Sequence, residues 1–187
     1  PQEEELVLMF LDLQSSTTIA EQLGHKKYSA LIRDCFNDLI AVADTKANIL
    51  QYVGDEVVFY WPLETGINHA NCLKAYFAFC KRLADKQDYY QQEYGVQPTF
   101  KAGANCGFVT ITEVGTIKKE LAFHGDTINT AARIQGLCSE LNQSLLISER
   151  LKDRLEDSQH YQFEDIGKHH VKGKEEHLRL FAVTMLN

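Results

Sequence analysis

The order of extended and helical patterns along the first hundred residues most constrains the fold. Leu6 to Leu11 is a continuous apolar run typical of a buried strand, and Tyr28 to Ala43 carries apolar residues at helical spacing. Two β-rich runs follow, separated by Gly54-Asp55, and they predict a hairpin with Asp55 near its tip. A long helix from Gly66 to about Tyr94 and a strand come next. The order β-α-β-β-α-β is that of a split βαβ, ferredoxin-like unit.

The remaining segments predict a C-terminal α/β extension on the same α+β domain, which we expect to include residues 1–187 as one unit. The predicted elements are strands at 99–106, 108–114, 145–147, 161–165 and 178–183, and helices at 125–137 and 149–155. The stretch from Gln14 to Thr18 is rich in hydroxyl side chains that are expected to cap the start of a helix, and Gly125-Asp126-Thr127 is a second capping signature.

Charge and composition exclude several classes of protein. With 44% hydrophobic and 24% charged residues the chain is a globular domain, and its net charge of -7 argues against nucleic acid or an anionic membrane as the main partner. An anionic substrate then needs a locally basic pocket. The five cysteines form no C-x-x-C pair, which indicates reduced thiols in a cytoplasmic protein. Because the chain starts at Pro1, we expect it to be cut from a longer protein with an N-terminal regulatory or membrane region.

Two aspartates are the strongest candidates for metal ligands. Asp12 ends the first strand, Asp55 lies at the hairpin tip, and those strands are neighbours in a split βαβ sheet. Paired carboxylates suit Mg²⁺ or Mn²⁺, which prefer oxygen ligands and share them with phosphates. Either aspartate alone would more often simply end a strand or form a turn, so the pairing carries the prediction. We expect both side chains to be exposed.

A second group of polar residues lies in the C-terminal half. Asn129 and Arg133 are four residues apart on one predicted helix face, where an amide and a guanidinium could orient a hydroxyl and neutralise a phosphate. An ordinary solvated helix face is an equally good interpretation of this pair. Lys172, in a basic turn, could bind a terminal phosphate, although a solvated turn is the simpler interpretation. No P-loop motif is present.

Together these segments resemble the catalytic domain of class III adenylyl and guanylyl cyclases. The matching segments are Phe10-Leu11-Asp12-Leu13-Gln14-Ser15-Ser16-Thr17, Val53-Gly54-Asp55-Glu56, Gly103-Ala104-Asn105-Cys106-Gly107-Phe108-Val109, Gly125-Asp126-Thr127-Ile128-Asn129-Thr130-Ala131-Ala132-Arg133 and Val171-Lys172-Gly173. Each match is weak alone, but five in the right order and at the right intervals make a chance resemblance improbable.

The resemblance implies a head-to-tail homodimer whose active sites are shared between subunits. One subunit would provide Asp12, Asp55 and the Leu13 carbonyl for two Mg²⁺ or Mn²⁺ ions, while backbone N–H groups of Ser16 and Thr17 hold the triphosphate.

The other subunit, by the same resemblance, would provide Asn129 to position the ribose, Arg133 to stabilise charge on the transferring phosphorus, and Lys172 to bind phosphate. The implied reaction is the conversion of a purine nucleoside triphosphate to its 3′,5′-cyclic monophosphate and pyrophosphate.

The purine-reading positions depart from the family pattern. They hold Gln51, whose amide fits either purine edge, and Ala122, which forms no side-chain hydrogen bond. Because the Glu expected for guanine is absent, we favour ATP and an adenylate cyclase over GTP and a guanylate cyclase. A diguanylate cyclase fits poorly, since the hairpin lacks two residues of its motif. A non-catalytic nucleotide-binding or dimerising module is the remaining alternative.

Overall fold

The computed structural model describes residues 1–156 and 159–186 and contains one eight-stranded sheet. Its strands are β1 (Gln2–Leu13), β2 (Asn48–Val53), β3 (Glu56–Pro62), β4 (Phe100–Val114), β5 (Glu120–His124), β6 (Leu145–Ser148), β7 (Tyr161–His170) and β8 (His177–Met185). Its α-helices are α1 (Ser16–Leu23), α2 (His25–Asn37), α3 (Leu63–Ile67), α4 (Asn71–Asp85), α5 (Gln87–Tyr94), α6 (Asp126–Gly136) and α7 (Glu149–Lys152). Short 3-10 helices occupy Asp38–Thr45 and Asn68–Ala70.

The predicted α+β, split βαβ architecture is confirmed by the strand order β2-β3-β1-β4-β6-β8-β7, with β5 pairing with β4. β1 lies at the centre and pairs antiparallel with both β3 and β4. Its residues from Leu6 to Leu11 are at most 7% exposed because helices cover both faces of the sheet. That two-sided burial explains why the strand reads as a continuous apolar run and not as an alternating one.

The two faces of the sheet have separate cores. The larger core joins alternate residues of β1, such as Val7 and Met9, to α2, α4 and α5. The smaller core joins Leu6, Leu8 and Phe10 to Ala131 of α6. Because side chains alternate along a strand, Asp12 near the carboxyl end of β1 lies on the same face of the sheet as Phe10 and α6.

The predicted long helix from Gly66 to Tyr94 is wrong. His69 and Ala70 have φ values of 51° and 54°, which belong to the left-handed region and end α3 before α4 begins. A second break lies at Lys86, where φ is -100°. The helix predicted over Tyr28 to Ala43 is likewise divided, because the chain turns into a 3-10 helix at Asp38.

The predicted break between strands at Gly107 is also wrong, because β4 runs through this glycine, which has a φ of 152°. The sequence does not predict β5, which the structure places at Glu120–His124. The helix predicted to continue to Leu155 ends at Lys152. The last two strands are longer than predicted, and an irregularity in their pairing lies between Asp165 and Lys168.

The two predicted side-chain caps are not formed. Ser15 precedes α1 with a left-handed φ of 58° and makes no side-chain cap hydrogen bond. Gly125 precedes α6, and the hydroxyl of Thr127 donates instead to the carbonyl of Phe108 at 2.8 Å. At α7, by contrast, Ser148 accepts a hydrogen bond from the Leu151 N–H.

The cysteines all carry free thiols, and only Cys80 is more than marginally accessible. Burial raises the pKa of Cys35 to about 12 and that of Cys106 to about 11. These thiols therefore belong to the core. Among the described residues, no helix has the length and apolar character needed to cross a membrane.

Candidate active site

A cavity of about 270 Å³ lies at the carboxyl end of β1, where the chain turns into α1. Its walls include Asp12, Leu13, Ser16, Thr17 and Lys101. The β1–α1 turn thus brings together four of the five residues predicted to bind metal and triphosphate within one subunit, whereas the fifth, Asp55, is not among the described residues that line the cavity.

The antiparallel pairing of β1 with β3 places Asp12 opposite Glu56, so that Asp55 in the adjacent turn lies beside Asp12. Burial, followed by the neighbouring carboxyl of Asp55, raises the pKa of Asp12 to about 7. Burial also raises the pKa of Asp55, but its hydrogen bonds with Asp12 and, next, with Tyr28 outweigh this effect and lower the pKa below its ordinary value.

Both aspartates are half-buried and not exposed as predicted. The hairpin tip folds back towards the start of α2, where the Tyr28 hydroxyl donates to Asp55 Oδ2 at 2.7 Å. Burial beside a like charge is unfavourable for two carboxylates unless a cation joins them.

A divalent cation fits this pair of carboxylates. Asp12 Oδ1 is buried and accepts no hydrogen bond from any described residue, which leaves a hard oxygen ligand free. The described ranges contain no group of three or more His, Cys, Asp or Glu side chains that could hold a metal ion. A cation between Asp12 and Asp55 would therefore complete its coordination with backbone carbonyls such as that of Leu13, water and phosphate oxygens, as Mg²⁺ commonly does.

The start of α1 presents unpaired backbone donors to the same cavity. The first helical hydrogen bond runs from the Ile19 N–H to the Ser15 carbonyl, so the N–H groups of Ser16, Thr17 and Thr18 have no acceptor within the helix. Such a helix start favours an anion, because the free N–H groups and the helix dipole both attract negative charge.

Lys101 is a site residue that the sequence analysis missed. It lies opposite Asp12 on β4, is only 9% exposed, and lines the cavity. No described carboxylate forms a salt bridge with its ammonium. The available signal was a lysine inside an otherwise apolar strand, where a charged side chain is rarely buried without a partner.

The second predicted group lies elsewhere on the subunit. Asn129 is exposed on α6, and Arg133 follows one turn later and is half-buried. A Cβ added at Gly173 would lie 2.6 Å from Arg133 Nη1, so the guanidinium packs against the backbone of this turn, next to the exposed Lys172. Among the described residues, those lining the cavity beside Asp12 include none of Asn129, Arg133 and Lys172.

The two positions predicted to read the purine base lie on different strands. Gln51 is exposed on β2 and pairs with Val58, while Ala122 is half-buried on β5 and pairs with Thr112. The neighbour of Ala122, Phe123, contacts the ring of Tyr60 on β3 with ring centroids 5.0 Å apart. β5 therefore lies against the hairpin that carries Gln51.

A sequence model of the family described as "Adenylate and Guanylate cyclase catalytic domain" matches residues 1–184. The chain belongs to this family. The resemblance inferred from the five motifs is thereby confirmed, and the chain is a cyclase catalytic domain.

Named relatives and solved structures agree with this assignment. The cyclase domain is 34% identical to Adenylate cyclase 2 of Rhizobium meliloti (strain 1021), over 98% of the chain but only 51% of that protein. It superposes with a TM-score of 0.85 on the adenylyl cyclase CyaB from P. aeruginosa, at 19% identity, covering 98% of this chain and 95% of that one.

A guanylate cyclase domain from Catenaria anguillulae, solved in complex with GTP, gives a TM-score of 0.77 at 18% identity and covers all of both chains. At these identities the solved structures establish the fold. The domain spans about half the length of the first of these relatives.

Proposed function

We propose that this cyclase domain converts ATP to 3′,5′-cyclic AMP and pyrophosphate, with two active sites shared across a head-to-tail homodimer. The observation that carries the proposal is the separation of the polar residues into two groups on one chain. Asp12 and Asp55 lie with the start of α1, whereas Asn129, Arg133 and Lys172 lie along α6 and the turn after β7. A second copy of the chain would bring complementary groups together, because a two-fold axis creates two equivalent sites.

The cavity beside Asp12 would hold the metal ions and the triphosphate. Asp12, Asp55 and the Leu13 carbonyl would bind two Mg²⁺ or Mn²⁺ ions. These would activate the ribose 3′-hydroxyl of the substrate and neutralise the charge of the leaving pyrophosphate. The free N–H groups of Ser16 and Thr17 would bind the terminal phosphates.

Lys101 completes this half of the site in the proposal. Its ammonium lines the cavity opposite Asp12 and lacks an ion pair with any described residue, so a phosphate is the natural counter-ion. This buried lysine provides the locally basic pocket that an acidic protein with a net charge of -7 needs for an anionic substrate.

The partner subunit would supply the residues that act on the reacting phosphorus. Arg133, held against the backbone at Gly173, would place its guanidinium at the oxygens that gain charge during in-line attack. Asn129, one turn earlier on the same helix, would hydrogen-bond the ribose and orient its 3′-hydroxyl. Lys172 would contact the phosphates as a mobile point charge.

Exposed apolar side chains support a dimer. Leu121 on β5 is 59% exposed, Ile117 in the β4–β5 turn is fully exposed, and Tyr52 on β2 is 52% exposed. Leu121 and Ile117 lie on the same projecting β4–β5 hairpin, and large apolar side chains exposed together in this way are typical of a surface that a partner covers.

Adenine is the proposed base because the relative at 34% identity is named an adenylate cyclase and because Gln51, unlike a Glu, is not restricted to accepting hydrogen bonds. A guanylate cyclase is the second candidate, since the amide of Gln51 can present either a donor or an acceptor and Ala122 discriminates neither. In the full-length protein, we place the domain in the cytoplasm, joined to a regulatory region.

Product identification tests the proposal. Purified domain is incubated with Mn²⁺ and either ATP or GTP, and the nucleotides are separated chromatographically. We expect cyclic AMP and pyrophosphate in equal amounts. Asp12→Ala should abolish their formation, whereas the control Lys81→Met on α4, which replaces a side chain that is 73% exposed, should retain it. Cyclic GMP as the dominant product would favour the second candidate, and no cyclic product from either nucleotide would contradict both.

A further inference from the structure

Tyr28 is attached to the candidate metal site but belongs to none of its motifs. It lies in the first turn of α2, and its hydroxyl donates to Asp55 Oδ2 at 2.7 Å, a contact between residues 27 positions apart. Its ring is partly buried and packs against the larger core. The hydroxyl is thus carried on a rigid base and reaches across to the hairpin tip.

The turn that carries Asp55 lies at the exposed edge of the sheet. Gly54 in the same turn has a φ of 60° and nothing within 4 Å of the position that a Cβ would take. The neighbouring strand β2 is an edge strand, and its residues Tyr52 and Val53 are each more than half exposed. The Asp55 carboxylate lies beside Asp12 at this exposed edge, and the Tyr28 hydroxyl holds its Oδ2 by a hydrogen bond.

We propose that Tyr28 is a positioning residue for the metal site, whose hydroxyl holds one oxygen of Asp55 and keeps the carboxylate beside Asp12. This inference rests on the proposed function only in taking Asp12 and Asp55 as the metal-binding pair. A carboxylate ligand that is already hydrogen-bonded loses less rotational freedom when the cation binds, and its orientation is fixed by its outer partner.

The consequence is a specific effect on metal affinity. Outer-shell partners of metal ligands typically change metal affinity or activity by about 10-fold to 100-fold. Because Tyr28 acts on only one of the two carboxylates, we expect the lower end of this range. Tyr28→Phe keeps the ring in the core and removes only the hydroxyl, so it isolates this contribution.

The chain offers a matched control. The Tyr89 hydroxyl donates to Asp34 Oδ2, also at 2.7 Å, in an exposed pair on α5 and α2 away from the cavity. Tyr89→Phe removes a tyrosine–aspartate hydrogen bond of the same length without touching the metal site.

The experiment measures Mn²⁺ binding to wild type, Tyr28→Phe and Tyr89→Phe by electron paramagnetic resonance of free Mn²⁺, with a non-hydrolysable ATP analogue present. Turnover is then measured as free Mn²⁺ is varied, and the unfolding midpoint is measured without metal. For Tyr28→Phe we expect about tenfold weaker Mn²⁺ binding. The Mn²⁺ concentration for half-maximal turnover should rise in parallel, and high Mn²⁺ should largely restore turnover. Tyr89→Phe should match wild type in both metal readouts.

Unchanged Mn²⁺ affinity in Tyr28→Phe would overturn the inference, as would an equal loss in Tyr89→Phe. A lowered unfolding midpoint with unchanged Mn²⁺ affinity would assign Tyr28 a purely structural role and would also overturn it. Asp12→Ala separates this result from failure of the proposed function. If that variant binds Mn²⁺ like wild type, or wild type itself binds none, the metal pair is wrong. If only Tyr28→Phe is silent, the positioning role alone is wrong.

Discussion

Replacing Asp12 by asparagine should stabilise the metal-free domain while removing its activity. Burial and the carboxyl of Asp55 raise the pKa of Asp12 from 3.8 to about 7, so ionisation of this residue opposes folding. In the metal-free protein this residue contributes stability below about pH 4 that is lost as pH rises to 7, because the native state there binds the proton more tightly than the unfolded chain. Asparagine keeps the shape of the neutral form and never ionises.

The size of the effect follows from the pKa. A change from 3.8 to about 7 corresponds to about 4 kcal/mol at 1.36 kcal/mol per pKa unit. Solvent reaches part of this half-buried side chain and screens the charge, so we expect about 1–2 kcal/mol. Asp12→Asn should therefore gain about that much in free energy of unfolding at pH 8 and almost nothing at pH 4.

Urea unfolding in the presence of EDTA at pH 4, 6 and 8 measures this difference. The control is Asp85→Asn, which removes a carboxylate with 61% of its side chain exposed and should stay close to wild type at each pH. Added Mn²⁺ should then stabilise wild type more than Asp12→Asn, since only the native wild-type site binds the cation fully. If Asp12→Asn is less stable than wild type at pH 8, or if the difference in free energy of unfolding does not depend on pH, then ionised Asp12 does not destabilise the metal-free domain and the reasoning is refuted.

Three further predictions concern phosphate contacts and base choice. Gly173→Ala should lower turnover in steady-state assays on the order of 100-fold, because its Cβ would lie 2.6 Å from Arg133 Nη1 and displace the guanidinium. Urea unfolding of the same variant should show a loss of only about 1–2 kcal/mol in the free energy of unfolding, owing to the left-handed φ of 87°. Lys101→Met should raise KM for ATP or lower kcat/KM by about 10-fold or more, as expected for a lost charge-assisted contact. The control Lys81→Met, which replaces a side chain that is 73% exposed, should leave both unchanged, and equal kinetics in the two variants would show that Lys101 is not part of the site. The double variant Gln51→Lys with Ala122→Asp should sharpen preference for ATP, and Gln51→Glu with Ala122→Cys should favour GTP. Each should change the ratio of kcat/KM for ATP to kcat/KM for GTP by an amount equivalent to about 1–3 kcal/mol, and an unchanged ratio in both would show that these positions do not read the base.

The sequence predicts the centre of the fold well because its signals there are local and redundant. The apolar run from Leu6 to Leu11 is buried on both faces, and the hairpin has β-rich runs on either side of Gly54. Pairing of those strands brings Asp12 and Asp55 together, so the metal candidate follows from topology alone. The helix pair Asn129 and Arg133 depends only on a four-residue spacing, and the structure confirms the helix.

The elements that the sequence does not predict depend on tertiary contacts. His69 and Ala70 are compatible with a helix by propensity, and their left-handed φ values are imposed by the surrounding structure. β5 has one partner strand and three of its five residues are exposed, so it lacks the alternation that marks a strand. The sequence does not predict a role for Lys101, because only the register of β4 against β1 places it opposite Asp12.

Mixing two inactive variants tests the central claim, a site built from two subunits, most directly. Asp12→Ala lacks the metal half of each site, and Arg133→Ala lacks the transition-state half. After equimolar mixing and exchange, half of the dimers should be mixed, and each of these should hold one complete site, which restores about one quarter of wild-type cyclic AMP formation. Recovery near that level, with each variant inactive alone, is the result predicted here. Complete absence of activity in a mixture shown to contain mixed dimers would contradict the shared site.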